Sequence, residues 1–287
     1  GSFFGGLYCV ELNPETGLPL VEGDRGHLVA RRANYKKDNL EAPEIIYNPD
    51  LKEYYLFVSY DPLMTTYNVR VGRSDKAEGP FIDYFGKELK DTTNNFPILT
   101  APYRFKNHPG WAGTAHCAVF TSDDGQYFMA HQGRLSPQNQ MMDLHVRQVF
   151  FTKDGWPVVS PERYAGSNPR EFSAEDLVGE WEIIRVQEPL YERQLEAGQI
   201  LWGEGELQDE EWNMSHFLYL EKDGNLGEDK GIWDFAKEDQ SLQLILDGEV
   251  VKNLIVFAGH DWENEIETVL FTGLDSRGRS VWGKRTK

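Results

Sequence analysis

The chain has 287 residues, of which 40% are hydrophobic and 26% charged, so it can fill the cores of one large or two ordinary domains. Its formal net charge of −18 argues against a nucleic-acid partner, because phosphate binding needs a basic face. No window approaches the roughly 18 consecutive apolar residues of a membrane-spanning helix, so the sequence predicts no membrane span.

The charge is divided unevenly along the chain. Residues 1–170 hold 18 Lys or Arg and 20 Asp or Glu, whereas residues 171–287 hold 11 and 27. A shift of this size predicts two domains with different surfaces, which we assign to residues 1–168 and 169–287. We interpret the acidic half as a solvated surface that keeps the protein in solution rather than as a cation site.

The first domain is predicted to be β throughout, with no convincing helix of three turns. Aromatic and β-branched runs separated by turn sequences are typical of a propeller or a barrel. The predicted strands are Tyr54–Tyr60, Tyr67–Gly72, His116–Phe120, Gln126–Gln132 and Leu144–Thr152. The two cysteines, Cys9 and Cys117, lie in apolar strand patterns and are interpreted as buried free thiols.

The second domain begins with a helix-start signal at Ser173–Asp176, so we expect a short helix there. A series of antiparallel hairpins follows, which favours a small barrel or sandwich. Its predicted strands are Trp181–Val186, Phe217–Glu221, Leu242–Leu246, Asn253–Phe257, Thr268–Thr272 and Ser280–Gly283.

Four segments of the first domain together carry a family pattern. They are GSFFGGLYCVEL at 1–12, LEAPEIIYN at 40–48, TTYNVRVGRSDKAEGPFID at 65–83, and AHCAVF at 115–120 followed by DGWPVVSPERY. In this order and spacing they resemble the arabinanases of glycoside hydrolase family 43. The resemblance implies an all-β fold: a five-bladed β-propeller, incomplete in this chain, followed by a small antiparallel β-barrel or sandwich domain.

Hydrolysis of a glycosidic bond needs a protonated carboxyl beside the leaving oxygen and a second carboxylate that activates water. The resemblance implies that Glu41 is the general acid, with Glu44 as a flanking residue. It also implies an aspartate base and a pKa-modulating aspartate, both expected on a missing N-terminal segment or partner chain. Asp61, Asp83 and Asp143 stand in no matching motif and are not assigned to these roles.

His116 is similar to the family histidine that helps to hold a calcium ion, mostly through waters. The sequence departs from the family pattern beside it, since 113–116 reads GTAH rather than GPGH. His131 and His145 also lie in predicted strands, and we favour structural roles for both.

Ser2, Phe3, Tyr67 and Arg73 match family positions near the substrate. A substrate contact and a packing role remain equally open for them, although the ring of Phe3 could stack on a pentose. The segment 60–66, YDPLMTT, is shorter than the loop of many arabinanases. Because that loop borders the substrate cleft, endo and exo action both stay open.

The leading hypothesis is therefore hydrolysis of α-1,5-linked L-arabinan or arabino-oligosaccharides with inversion. The alternatives are another family 43 activity (α-L-arabinofuranosidase or β-xylosidase), a non-catalytic carbohydrate-binding propeller and, for residues 171–287 alone, a lipocalin-like binding module. The resemblance also implies an extracellular or periplasmic location, although residues 1–10 lack a signal-peptide pattern. We expect the N-terminal half of the same enzyme, as a second chain, to complete the ring.

Overall fold

The structure, a computed structural model of the chain, describes residues 5–32, 40–138, 140–166, 169–188, 207–229, 231–246 and 248–286. Twenty-one β-strands dominate these residues, and the α-helix α1 spans only Ala174–Leu177. None of the helices in the described parts of the chain is long and apolar enough to cross a membrane.

The N-terminal part of the chain forms three sheets. Two strands make a short hairpin, β1 (Leu7–Cys9) and β2 (His27–Ala30). Four make an antiparallel meander: β3 (Leu40–Asn48), β4 (Glu53–Tyr60), β5 (Asn68–Ser74) and β6 (Ile98–Thr100).

The third sheet is larger and contains a second four-stranded meander of the same kind. Its members in chain order are β7 (Tyr103–Arg104), β8 (Trp111–Ala112), β9 (Ala118–Thr121), β10 (Tyr127–Leu135), β11 (Asp143–Phe151) and β12 (Pro157–Val159), joined by β14 (Asn213–Met214). Strands β9 to β12 pair successively and antiparallel. Repeated four-stranded meanders are the blade unit of a propeller. The described residues therefore support a propeller arrangement, while the count of five blades stays a prediction.

The C-terminal part is a closed eight-stranded barrel, which confirms the predicted β-barrel domain. Its strands are β13 (Gly179–Arg185), β15 (His216–Leu220), β16 (Asn225–Leu226), β17 (Gly231–Ala236), β18 (Ser241–Leu246), β19 (Glu249–Asp261), β20 (Ile266–Leu274) and β21 (Ser280–Arg285). Buried apolar side chains such as Trp181, Leu244 and Phe271 fill its interior. Burial of these large side chains supplies the main stabilisation of the barrel.

The propeller part and the barrel are joined by strand pairing and hydrogen bonds. Strand β14, from the C-terminal half of the sequence, pairs in parallel with β7. The hydroxyl of Thr272 donates to the carbonyl of Val159 at 2.7 Å, and that of Ser280 donates to the carbonyl of Ile98 at 2.7 Å. The two parts thus share an interface, and the predicted boundary at 168/169 falls beside residues 167–168, which lie outside the described ranges.

Several predicted elements are confirmed, and several short strands were missed, among them β2, β6, β7, β8 and β14. The short helix at the start of the second domain is present, with the Ser173 amide donating to the Asp176 carboxylate at 2.8 Å. Strands β16 and β17 were not predicted from the sequence. The predicted strand at His116–Phe120 begins too early, because His116 has a φ of 57° and β9 starts at Ala118. Cys9 and Cys117 are free thiols as predicted, but only Cys117 is fully buried.

Candidate active site

Glu41 lies at the start of β3, where the strand departs from regular pairing. It pairs with Ser59 of β4, and the register then shifts between Glu41 and Glu44. Ala42, between them, has a φ of 50°. A β-bulge of this kind redirects the side chains beside it, and bulges are common next to active sites. The LEAPE segment therefore gives Glu41 a side-chain direction that a regular strand would not.

Two other sequence-predicted site residues meet Glu41. The hydroxyl of Tyr67 donates to Glu41 Oε1 at 2.8 Å and lies 3.4 Å from His116 Nδ1. The His116 backbone amide donates to Ser59 Oγ at 2.9 Å. Tyr67 is fully buried, Glu41 is half-buried and His116 is exposed. We call Glu41, Ser59, Tyr67 and His116 the acid cluster.

Beside the acid cluster is a cleft of about 580 Å³. Its wall includes Ala42, Pro43, Glu44 and His116. The other residues of the wall are Cys117, Ala118, Ala130, His131, Gln132, Met142, Asp143 and Leu144. Glu41 and Tyr67 are not part of this wall, so His116 is the residue that joins the cluster to the cleft. A cleft of this volume, lined in part by His116, offers space for a sugar chain beside the cluster.

His131 and His145 have structural positions, as predicted. Burial, together with the neighbouring Arg147 guanidinium, lowers the pKa of His131 to about 3. Its Nε2 accepts a hydrogen bond from Arg147 Nε at 3.0 Å, and its Nδ1 lies 2.7 Å from the carbonyl of Gln132. His145 is buried with its ring 4.4 Å from that of Trp111. Burial, together with His131 and Arg147, also lowers the pKa of His145. Both rings are therefore neutral at neutral pH and support the sheet behind the cleft.

The structure does not bring Arg73 to the acid cluster. Arg73 pairs with Tyr55, four residues along β4 from Ser59, which is roughly 13 Å away at the usual rise of a strand. Its guanidinium donates to the carbonyl of Asp154 at 2.7 Å and lies 4.4 Å from the ring centroid of Trp156. Of the two roles left open for Arg73, these contacts favour packing. Ser2 and Phe3 lie outside the described residues.

The three aspartates that stand in no family motif, Asp61, Asp83 and Asp143, differ in environment. Asp61 is fully buried and accepts a hydrogen bond from Arg32 at 2.5 Å. Asp83 is buried and accepts from the backbone amides of Phe85 and Lys87, both at 2.9 Å. Asp143, in contrast, is exposed on the cleft wall. The sequence offered no motif that would have singled out Asp143, and only the pairing of β10 with β11 places it there.

The residues around His116 fit a calcium ion only in part. Calcium takes six to eight oxygen ligands. In the described ranges, the group of three acidic side chains close enough to share an ion is Glu162, Asp261 and Glu263, which lies at the barrel and not beside His116. His116 could offer one imidazole nitrogen from its exposed position. An ion at His116 would therefore depend on water for most of its coordination.

Comparison with known proteins finds relatives of both parts of the chain. The sequence profile of glycosyl hydrolases family 43 matches residues 2–157, and the profile of a C-terminal lipocalin-like domain matches residues 161–283. An extracellular endo-α-(1→5)-L-arabinanase of Thermotoga petrophila is 28% identical over 309 residues, covering 100% of this chain and 60% of the relative. An extracellular endo-α-(1→5)-L-arabinanase 2 of Bacillus subtilis is 26% identical, covering 99% and 60%.

Solved structures show the same arrangement of both domains. A crystal structure of endo-1,5-α-L-arabinanase from Thermotoga petrophila superposes with a TM-score of 0.82 at 25% identity, covering 100% of this chain and 64% of that one. The chain thus spans less than two thirds of the length of these relatives. Since the family profile covers more than half of the residues, the chain belongs to glycosyl hydrolases family 43.

Proposed function

We propose that the protein containing this chain hydrolyses α-1,5-linked L-arabinan or arabino-oligosaccharides with inversion, with Glu41 as the general acid. The observation that supports this best is the half-buried Glu41 carboxyl, held by Tyr67 and placed beside the cleft that His116 lines. The names of the two arabinanase relatives supply the substrate class.

In the proposed reaction, Glu41 transfers its proton to the glycosidic oxygen as the bond from that oxygen to the anomeric carbon breaks. A water molecule attacks the anomeric carbon from the opposite face and gives its proton to a base. Glu41 ends as a carboxylate, and proton exchange with solvent restores its acid form. A neutral phenol is a suitable partner for such a group, because it can donate to either protonation state of the carboxyl.

We propose that the aspartate base and the pKa-modulating aspartate lie on an N-terminal segment or on a second chain of the same enzyme. Asp61 and Asp83 are committed to Arg32 and to backbone amides, respectively, so neither is free to activate water. Asp143 is exposed at the cleft, and its replacement is a useful check on this assignment. If Asp143→Asn abolished hydrolysis, the base would lie on this chain.

We also propose a calcium ion at His116, held by one imidazole nitrogen and mainly by waters. When bound, such an ion would supply positive charge beside the cleft. Three relatives carry names that begin with "extracellular", which supports export of this protein.

The direct test is Glu41→Gln, with Glu44→Gln as the matched control three residues along the same strand. Glutamine keeps the shape of the side chain but has no transferable proton, so hydrolysis of arabinan should fall roughly 100-fold or more. Aryl arabinofuranosides with good leaving groups should be affected less, because they need little protonation. Glu44 lines the cleft, so Glu44→Gln can change KM but should leave kcat near the wild-type value. A normal kcat for Glu41→Gln would place the acid elsewhere.

The alternatives predict different results in the same assays. A non-catalytic carbohydrate-binding propeller would bind arabino-oligosaccharides in calorimetry but release no sugar. An α-L-arabinofuranosidase or β-xylosidase would act on aryl glycosides and short oligosaccharides and leave linear arabinan largely intact. Chromatography of the products at early times would also separate endo from exo action.

A further inference from the structure

The hydroxyl of Tyr67 has a single proton and three polar neighbours: Glu41, His116 and the hydroxyl of Ser59. Glu41 Oε1 lies 2.8 Å from it and His116 Nδ1 lies 3.4 Å from it. An ordinary tyrosine has a pKa of about 10. The phenol therefore carries its proton at neutral pH.

The distances decide where that proton goes. Tyr67 donates to Glu41 Oε1 at 2.8 Å, a normal separation for a hydroxyl donor, and this oxygen can accept whether or not Oε2 carries a proton. The phenol oxygen then has only lone pairs left for His116 and Ser59. A contact between that oxygen and Nδ1 is favourable only if Nδ1 carries the proton of the ring.

We infer that Tyr67 is a positioning residue for the proposed reaction: it fixes which oxygen of Glu41 presents the proton and which tautomer His116 adopts. This inference rests on the proposed function. Because Oε1 accepts the phenol's hydrogen bond, the transferable proton of Glu41 resides on Oε2. Because His116 is protonated at Nδ1, the lone pair of its ring lies on Nε2.

The fold holds these three side chains from three separate segments. Glu41 is opposite Ser59 in the β3–β4 pairing, and Ser59 Oγ accepts the His116 amide at 2.9 Å. Tyr67 directly precedes β5, whose residue Val69 pairs with Ser59. His116 has a left-handed backbone, at a φ of 57°, which few residues other than glycine adopt without a structural reason. Ser59 is thus the common anchor of the acid cluster.

The kinetic test is Tyr67→Phe in the active protein that contains this chain, with Tyr60→Phe as the control. Tyr60 is also fully buried, but its hydroxyl has no hydrogen-bond partner within the described residues. Glu41 becomes a carboxylate as it gives up its proton, so loss of the hydrogen bond from Tyr67 should lower kcat on arabinan roughly ten- to a hundredfold, with KM changed less than about twofold. The loss should shrink on aryl arabinofuranosides with good leaving groups, and Tyr60→Phe should leave kcat unchanged.

Other results would overturn the inference. A raised KM with normal kcat in Tyr67→Phe would make Tyr67 a substrate contact only. An equal loss on all leaving groups would indicate a general structural defect rather than a positioning role for the acid.

A second readout does not depend on turnover. Long-range ¹H–¹⁵N NMR, with His116→Gln to assign the signal, should show His116 protonated at Nδ1 in the wild type. In Tyr67→Phe the ring should become a mixture of tautomers, since the acceptor at Nδ1 is gone. Protonation at Nε2 in the wild type, or an unchanged tautomer in the variant, would refute the inference. A wild-type protein without activity on arabinan would overturn the proposed function, and the NMR result would still decide the role of Tyr67.

Discussion

Two groups of acidic side chains in this molecule differ in their exposure and in the partner that holds them. In the acid cluster, a single carboxyl, Glu41, is half-buried and has an uncharged phenol as its partner. At the barrel, Glu162, Asp261 and Glu263 surround the ammonium of Lys284, at 3.0, 2.8 and 2.5 Å. We call the second group the lysine cluster.

The lysine cluster has more carboxylates, but its position excludes a reaction with an external substrate. The Lys284 side chain is 0% exposed, and none of its three acidic partners exceeds 7%. Lys284 also lies 3.8 Å from the ring centroid of Phe105, in the propeller part. Glu162 follows β12, so the cluster joins the propeller part to the barrel. Three close carboxylates are thus a poor guide to an active site when a buried cation already neutralises them.

The largest effect on stability is expected for Lys284→Met. This change leaves buried carboxylates without their cation, so the free energy of unfolding should fall by about 3–5 kcal/mol. Chemical denaturation would measure the loss. Lys222→Met is the matched control, because Lys222 is 80% exposed in its pair with Glu175, and it should change stability by less than about 1 kcal/mol. A Lys284→Met protein as stable as the control would show that the lysine cluster does not hold the domains together.

Acidification should also destabilise the propeller part through His131. Its folded pKa of about 3 lies below the ordinary value of 6.5, so the unfolded chain binds a proton more readily than the folded one. Stability is then present at neutral pH and declines as the pH falls from about 6.5 towards 3. Between pH 7 and 5 the loss for this one residue should be about 2 kcal/mol.

The measurement is the unfolding free energy of the wild type and of His131→Gln at several pH values. The variant should show a shallower dependence on pH, whereas His27→Gln, at an exposed position, should follow the wild type. If the unfolding free energies of all three proteins changed with pH in parallel, His131 would be ruled out as an acid-sensitive group.

A smaller effect distinguishes the carboxyls within the lysine cluster. Burial raises the pKa of Glu162 well above its usual range, although Lys284 opposes the shift. Burial would also raise the pKa of Glu263, but Lys284 and the contact with Glu162 lower it to about 2. Glu162 therefore holds a proton more readily, and Glu263 is the ionised partner of Lys284.

Glu162→Gln, which mimics the protonated form, should cost only about 1 kcal/mol at neutral pH, and Glu263→Gln should cost more. Because folding raises its pKa, Glu162 stabilises the protein at pH values below its pKa in the unfolded chain. This stabilisation is lost as the pH rises through its pKa in the folded protein. Glu162→Gln should therefore improve relative to the wild type at higher pH. If the two variants lost equal stability at every pH, Glu162 could not be the protonated carboxyl and Glu263 the ionised one.

The sequence predicted the acid cluster better than the lysine cluster. Glu41, Tyr67 and His116 stand in local motifs, and each motif specifies the backbone at its own position, such as the bulge after Glu41. Lys284 and Glu162, in contrast, are 122 residues apart. Lys284 lies in no motif, and the segment DGWPVVSPERY that contains Glu162 gives no sign of a lysine partner. Only the packing of the barrel against the propeller part brings them together.

Other differences between the predicted and the observed strands have a similar physical origin. Strands β16 and β17 were missed because β16 has only two residues and Gly231 begins β17. The early start predicted for β9 reflects an apolar pattern that continues through His116, whereas the contact with Ser59 holds His116 in a left-handed backbone. The hydrophobic period and the composition of a sequence segment carry no information about such tertiary contacts.

The same isosteric substitution in both clusters tests the central claim most directly. We would measure kcat/KM on arabinan per folded molecule for Glu41→Gln and Glu162→Gln, with the folded fraction determined by denaturation. The account predicts that Glu41→Gln loses roughly 100-fold or more, while Glu162→Gln stays within a few-fold of the wild type. A Glu41→Gln protein that retains activity, or equal losses in the two variants, would contradict the assignment of the chemistry to the acid cluster.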